Sequence, residues 1–256
     1  MALTVLDTGT ALARELRREL AARDAAAIER SGQEAARRLP FFLRPLLGGL
    51  VGFLAREAEL RRQAGIRQAG TSAEGLTRRA LAAVLGNAEG DFLLAPGAVI
   101  RSRPSARPVE LDNLLVGPFG VAVIETKGWA YPCVLEWRDA WLLKGGRRER
   151  RKSPLLQLDE ARGALLAAAR AAGIRARLPI YLAVHFPFLH DLAHVQVAAA
   201  VPWEEDAWAW AVGWDGGEAL ADWLLKKPAD DGRLLLGRRL LAHVLADPGP
   251  LPSSAR

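Results

Sequence analysis

The chain has 256 residues, half of them hydrophobic and a quarter charged, the balance of a folded globular protein rather than a disordered one. Lys and Arg outnumber Asp and Glu by 35 to 29, a formal charge of +6, which favours anionic partners, either nucleic acid or an anionic membrane surface. Its one cysteine, Cys133, excludes an intramolecular disulfide and a four-cysteine zinc site, and fits a reducing, cytoplasmic setting.

The start has no basic segment followed by an apolar one, so no signal peptide is expected there. Residues 8–66 are rich in Ala, Leu, Arg and Glu, good helix formers with a break expected near Leu39-Pro40. The apolar stretch Leu39 to Ala55 is interrupted by Arg44, two prolines and Gly48-Gly49. It falls short of the roughly 20 apolar residues that a spanning helix needs. Residues 1–66 therefore read as a helical N-terminal arm, a scaffold or homo-oligomerisation element with peripheral membrane contact as the minor alternative.

Gly70-Thr71-Ser72 carries capping residues for a helix that starts there and ends near Gly86. Short strand-like runs follow at Asp91 to Ala95, Ala98 to Ser102, Val109 to Val116 and Val121 to Lys127. The runs CVLEW and AWLLK continue the alternation. The basic run Arg147 to Lys152 reads as a solvated loop, with contact to a phosphate backbone as the alternative. Ser153-Pro154 opens a second helix, with Ser as cap and Pro in the first helical position, stopping near Gly173. LPIYLAVHF and VQVAAAV read as strands, the region from Gly217 onward as helical, and the tail PGPLPSSAR as disordered. Helix, strands, helix, strands describes an α/β fold with a mixed sheet. The expected divisions are 1–66, 67–228 as the main domain, and 229–256 as a C-terminal helix and tail.

The informative stretch is VELDNLLVGPFGVAVIETKGW. Gly117-Pro118-Phe119-Gly120 is turn chemistry between two apolar strands. If Val116 lies opposite Val121, antiparallel pairing puts Asp112 across from Glu125. Both faces of the hairpin are otherwise apolar, as in strands covered on both sides. Two carboxylates about 5 Å apart on such a sheet repel one another and resist desolvation. Lys127 lies two residues beyond Glu125 and shares its face. The offsetting charge is Lys127 alone, in a buried ion network, or Lys127 together with a divalent cation of the kind that carboxylate oxygens hold.

Asp112 followed by Glu125-Thr126-Lys127 resembles the PD-(D/E)xK signature of restriction-endonuclease-like nucleases. With two flanking blocks, the sequence resembles the nuclease-related domain family, NERD. One block is Gly70-Thr71-Ser72-Ala73-Glu74, similar to that family's Gly-x-x-Gly-Glu with Ala73 in place of the second glycine. The other is Ser153-Pro154-Leu155-Leu156-Gln157, similar to its Asn-Pro-x-x-Gln with Ser153 in place of asparagine. The blocks span residues 70 to 157. The resemblance implies a restriction-endonuclease-like core and metal-assisted hydrolysis of phosphodiester bonds, with DNA the favoured substrate. Asp112 and Glu125 would hold Mg²⁺ or Mn²⁺, with the Thr126 carbonyl a further ligand. Glu74 would complete the metal shell or position water. Lys127 would orient water or stabilise the transition state, and Gln157 would contact water or phosphate. Arg147, Arg148, Arg150, Arg151 and Lys152 are the expected phosphate contacts, with Arg101, Arg103 and Arg107 extending the surface. The rival functions are a nucleic-acid-binding module with little turnover, or an assembly protein with an internal ion network.

Three further features carry blander readings. His185, His190 and His194 could share zinc if the last two were one helical turn apart, but packing or loop histidines fit better. Five tryptophans between Trp203 and Trp223 are expected in the core, with base stacking as the alternative. Cys133 reads as packing.

Overall fold

The computed structural model describes residues 3–6, 22, 25–31, 33–38, 44–100 and 108–246. The break at Leu39-Pro40, the basic residues Arg101, Arg103 and Arg107, and the tail from Pro248 lie outside the described residues. The chain divides into two units, one of residues 1–13 with 72–256, the other of residues 14–71. Within the smaller unit, residues 25–31, 33–37 and 44–71 are helical, and Arg56 pairs with Glu29 at 2.5 Å. Among the described residues no helix is long and apolar enough to cross a membrane.

The larger unit is a mixed α/β fold around a six-stranded sheet. Its strands are β1 (Leu3–Val5), β2 (Phe92–Ile100), β3 (Val109–Gly117), β4 (Gly120–Thr126), β8 (Ile180–Phe186) and β10 (Trp208–Val212), in spatial order β1-β2-β3-β4-β8-β10. β2, β3 and β4 run antiparallel in succession, while the outer pairs β1–β2, β4–β8 and β8–β10 are parallel. Every residue of β4 is buried, as expected of a central strand covered on both faces. One face packs on α2 (Pro154–Ala171) and α4 (Asp231–Leu245), through Leu155, Leu158, Leu165, Leu240, Leu241 and Val244. The other packs on the end of α1 (Arg44–Leu85) and on α3 (Gly216–Leu225), through Leu81, Leu85, Leu220 and Leu224.

A second sheet lies between β4 and α2 in sequence. It contains β5 (Cys133–Leu135), β6 (Asp139–Lys144) and β7 (Arg147–Lys152), and β9 (Val195–Val197) joins it in the order β7-β6-β5-β9.

The elements depart from the sequence reading in four places. No helix starts at Thr71 or Ser72, because α1 is continuous from Arg44 to Leu85. One glycine costs a helix only about 1 kcal/mol, and Ala73, Ala80, Leu81 and Leu85 are buried on that helix, which outweighs the capping signal. The two runs around Pro96-Gly97 form one strand. Gly97 takes a φ of +63°, and the pairing to β3 holds the same register on both sides of it, so the strand bends without ending. Leu3–Val5, read as arm, is instead an edge strand of the main sheet. Finally, Arg147 to Lys152 is strand and not loop. Gly145 and Gly146 both take positive φ, at +54° and +75°, the two-residue turn whose twist suits a tight hairpin.

α2 begins where its sequence says it should. Ser153 Oγ accepts a hydrogen bond from Leu155 N at 3.2 Å and Pro154 follows it, satisfying one of the orphan amides of the first turn.

Candidate active site

The β3–β4 hairpin has the register that its turn chemistry dictated: Gly117 pairs with Gly120, Val116 with Val121 and Asn113 with Ile124. The ladder ends there, one step before Asp112 and Glu125. Released from backbone pairing, the amide of Thr126 donates to Asp112 Oδ2 at 2.7 Å. Lys127 Nζ donates to Glu125 Oε1 at 2.5 Å. Strand alternation puts Asp112, Glu125 and Lys127 on the sheet face shared with Leu114, Val116, Val121 and Val123, the face that carries α2.

The electrostatics of this trio are unbalanced. Burial, and then the neighbouring Glu125, push Asp112 up to about 8, against the opposing pull of Lys127 and the Thr126 N–H. Burial acts to lower Lys127, but Glu125 and Asp112 outweigh it and hold its ammonium above the ordinary lysine value. At neutral pH the site therefore keeps Lys127 charged and leaves Asp112 largely protonated. One lysine is too little positive charge for two ionised carboxylates here.

Glu74 reaches the same end of the sheet from α1, and its charge acts on both Asp112 and Lys127. Its carboxylate takes a hydrogen bond from Arg78 Nη2 at 2.7 Å, one helical turn along. Gln157 lies in the first turn of α2, half-buried, on the helix that covers the face of the trio. The five basic residues of β7 do not form one patch. Strand alternation sends Arg148, Arg150 and Lys152 to one face of the small sheet, and Arg147 and Arg151 to the other with Glu149. Among the described residues, no group of three or more His, Cys, Asp or Glu side chains is placed to hold a metal ion.

Sequence reasoning missed what lies behind the trio. On the opposite sheet face, Asn113 Oδ1 accepts from Arg78 Nε at 3.3 Å, and Asn113 Nδ2 lies 3.4 Å from Thr126 Oγ1. Thr126 Oγ1 is 3.0 Å from Thr77 Oγ1, which is 2.8 Å from His185 Nδ1, and His185 Nε2 lies 2.8 Å from the Gly213 carbonyl. Burial lowers the pKa of His185, so the ring is neutral. The carbonyl fixes the proton on Nε2 and leaves Nδ1 an acceptor; the Thr77 hydroxyl has its proton shared between Nδ1 and the Ala73 carbonyl oxygen, 3.1 Å away, so Thr126 donates to Thr77 and Asn113 to Thr126. The chain ties α1, β3, β4 and β8 together beneath the carboxylates. Nothing in the sequence flagged Thr77, Asn113 or His185 for this role. The i,i+4 spacing of Glu74 and Arg78 was the one readable part. Replacing Thr77 by Val keeps the shape and strands two buried polar groups. The expected cost is about 1–3 kcal/mol, read as a lower midpoint in urea unfolding; an unchanged midpoint would remove the network from the account.

Residues 69–187 match the family model described as the nuclease-related domain, NERD. Over this segment the chain is similar to nuclease-related domains. No curated protein and no solved structure matches the chain.

The matched segment encloses Glu74, Arg78, Asp112, Glu125, Lys127, Gln157 and His185, together with β5, β6 and β7. His185 spends both ring nitrogens in the network just described, whereas His190 and His194 are exposed and follow the turn after β8, with only a single 3₁₀ turn at Leu192–His194. The helical spacing that shared zinc ligation needed is absent. Cys133 is buried in the main core and burial pushes its thiol up to about 12, so it stays protonated and packs. Beyond the matched segment, Trp203 meets Trp208 edge-on and Trp208 meets Trp210 at a tilt, with ring centroids 6.0 and 5.0 Å apart, against the main core. Trp223 packs on Tyr181. Only Trp214 of these five is exposed, at 66%.

Proposed function

We propose that this NERD domain is a metal-dependent nuclease that hydrolyses phosphodiester bonds in DNA. The observation that carries the reading is half-buried Asp112 and buried Glu125 with a single lysine beside them, where burial, and then Glu125, push Asp112 up to about 8 and the pair calls for more positive charge than Lys127 brings. A divalent cation supplies that charge. The donors are hard oxygens, from Asp112, Glu125 and the Thr126 carbonyl, and suit Mg²⁺ or Mn²⁺. Among the described residues no third acidic side chain closes a cage, and Mg²⁺ needs only one or two carboxylates because it keeps several waters. When bound, the ion supplies Lewis acidity and lowers the pKa of its water.

The chain's own groups do the rest. Lys127, held on Glu125, keeps a charged ammonium in a site largely closed to solvent, where it orients the attacking water or stabilises charge on the phosphate. Glu74, anchored by Arg78, positions water at the edge of the site, and Gln157 contacts water or phosphate from α2. Arg148, Arg150 and Lys152, on one face of the small sheet, hold the substrate backbone, which makes binding sequence-independent and salt-sensitive, while Arg147 and Arg151 lie on the opposite face. Homo-oligomerisation through the arm stays part of the proposal, supported by Phe53 and Leu54, both more than half exposed.

One observation favours a second reading, a nucleic-acid-binding module without turnover: Glu125 is already satisfied by Lys127 and Glu74 by Arg78. Incubating the protein with single- and double-stranded DNA, and with RNA as a control, in Mg²⁺, Mn²⁺ or EDTA separates the two. Cleavage of DNA that needs metal supports the nuclease. Binding without cleavage under every metal supports the module.

A further inference from the structure

The small sheet inside the NERD domain has an open face. Its strands pair so that Gln196, Val134, Trp141 and Arg150 form one row across β9, β5, β6 and β7, with Leu143 and Arg148 in the next row. Strand alternation gives the other face Cys133, Leu135, Ala140 and Leu142, all buried in the main core. Among the described residues, Val134, Trp141 and Leu143 pack on neither core cluster. Leu143 is 39% exposed, and Trp141 and Val134 are half-buried. An indole thus sits half-buried on this sheet face with Arg150 directly across from it, and both oxygens of Asp139 hold the Arg150 guanidinium at 2.8 Å each.

We propose that this face is a stacking platform for the unpaired stretch of single-stranded DNA, with Trp141 as the base-stacking residue and Arg148, Arg150 and Lys152 tracking the backbone. The proposal rests on the nuclease reading for its choice of partner and adds strand preference to it. Charge complementarity selects the occupant. Five of the six residues on the edge strand β7 are basic, which repels a second copy from pairing there and attracts a polyanion. The three cations on the open face recur every second residue, about 7 Å apart along the strand. Stacking needs base faces, which a duplex hides and a single strand offers.

Topology places the platform beside the site. β5 leaves the end of β4 after residues 127–132, and β9 follows the end of β8. β4 and β8 are parallel, so both connections leave the end of the main sheet that carries Asp112, Glu125 and Lys127.

The test measures binding in EDTA, where no cleavage interferes, by anisotropy of a fluorescent thymidine oligomer and of a duplex of the same length. Wild type is expected to prefer the single strand. Trp141→Ala should weaken single-strand binding about tenfold, the scale of one lost base stack, and leave duplex binding within about twofold. Trp141→Phe should restore most of the affinity. Trp141→Leu, which keeps apolar bulk on the strand without a π-face, should behave like the alanine variant and serves if that variant fails to fold. Equal binding of single strand and duplex by wild type, or full single-strand affinity in Trp141→Leu, overturns the platform. Trp141-dependent binding with no cleavage in any metal would leave the platform standing and remove the nuclease. Metal-dependent cleavage with Trp141-independent binding would do the reverse.

Discussion

Asp112→Asn is expected to cut Mg²⁺-dependent DNA cleavage by about a hundred- to a thousandfold, the scale of losing one preorganised charge in a water-excluded site, with the fold intact. The reason it should fold is electrostatic. Asp112 is pushed up to about 8, so the metal-free native protein already carries it largely neutral at pH 7, and asparagine mimics that form. Asparagine also keeps an oxygen to accept the Thr126 N–H, now bound at 2.7 Å. Lys127→Gln should lose activity on a similar scale, since it removes the charge while keeping a donor for Glu125. Lys127→Ala is the poorer probe, because it strands a buried carboxylate, and breaking such a pair costs about 3–5 kcal/mol. Initial rates on labelled DNA, with circular dichroism to confirm folding, decide the matter. If folded Asp112→Asn cleaves as fast as wild type, the carboxylate pair is not the reactive centre.

How much of this was legible in the sequence differs between elements. The hairpin register could be read because Gly117-Pro118-Phe119-Gly120 admits few turns, and Gly120 is pinned in place. It takes a φ of +117°, and a Cβ there would meet the Pro179 carbonyl oxygen at 2.8 Å. With the turn fixed, alternation alone put Asp112, Glu125 and Lys127 on one face. The start of α2 was legible for the same local reason, a capping serine before a proline. What escaped was non-local. The helix expected to begin at Ser72 is the continuation of α1, where buried alanines and leucines overrode the cap. At the closest approach of α1 and α3, a Cβ on Gly217 would come within 2.7 Å of Ala80 Cβ, a fit that only the folded chain displays. The Thr77–His185 chain joins residues 108 apart in sequence. The strand character of RRERRK was readable from Gly145-Gly146, but five like charges are the composition of a solvated loop. Pairing with β6 and burial of its partners Leu142 and Ala140 decide the outcome.

Stability of the metal-free protein is expected to fall by about 1–2 kcal/mol between pH 6.5 and pH 8, and Mg²⁺ is expected to abolish most of that fall. An unfolded Asp112 gives up its proton near the ordinary value of 3.8, whereas the folded one keeps it until about 8. Between those values the unfolded chain binds fewer protons than the native one, so stability is greatest on the acid side and is lost as pH rises through about 8. His185 works in the opposite direction. Its folded value is lowered from 6.5, so its contribution is lost as pH falls below 6.5, and the window above 6.5 isolates Asp112. In Asp112→Asn the slope in that window should vanish, which makes the difference between wild type and variant the quantity to report. A divalent ion binds the ionised pair, so binding near pH 7 should release up to one proton per ion. Calorimetry in two buffers of different ionisation enthalpy reads that number directly. At a hundredfold excess over its dissociation constant the ion should stabilise wild type by about 2.7 kcal/mol and the variant by much less. Equal stabilisation of both proteins, or binding without proton release, would place the ion somewhere other than between Asp112 and Glu125. Lys127 and Glu125 would then be a structural ion pair.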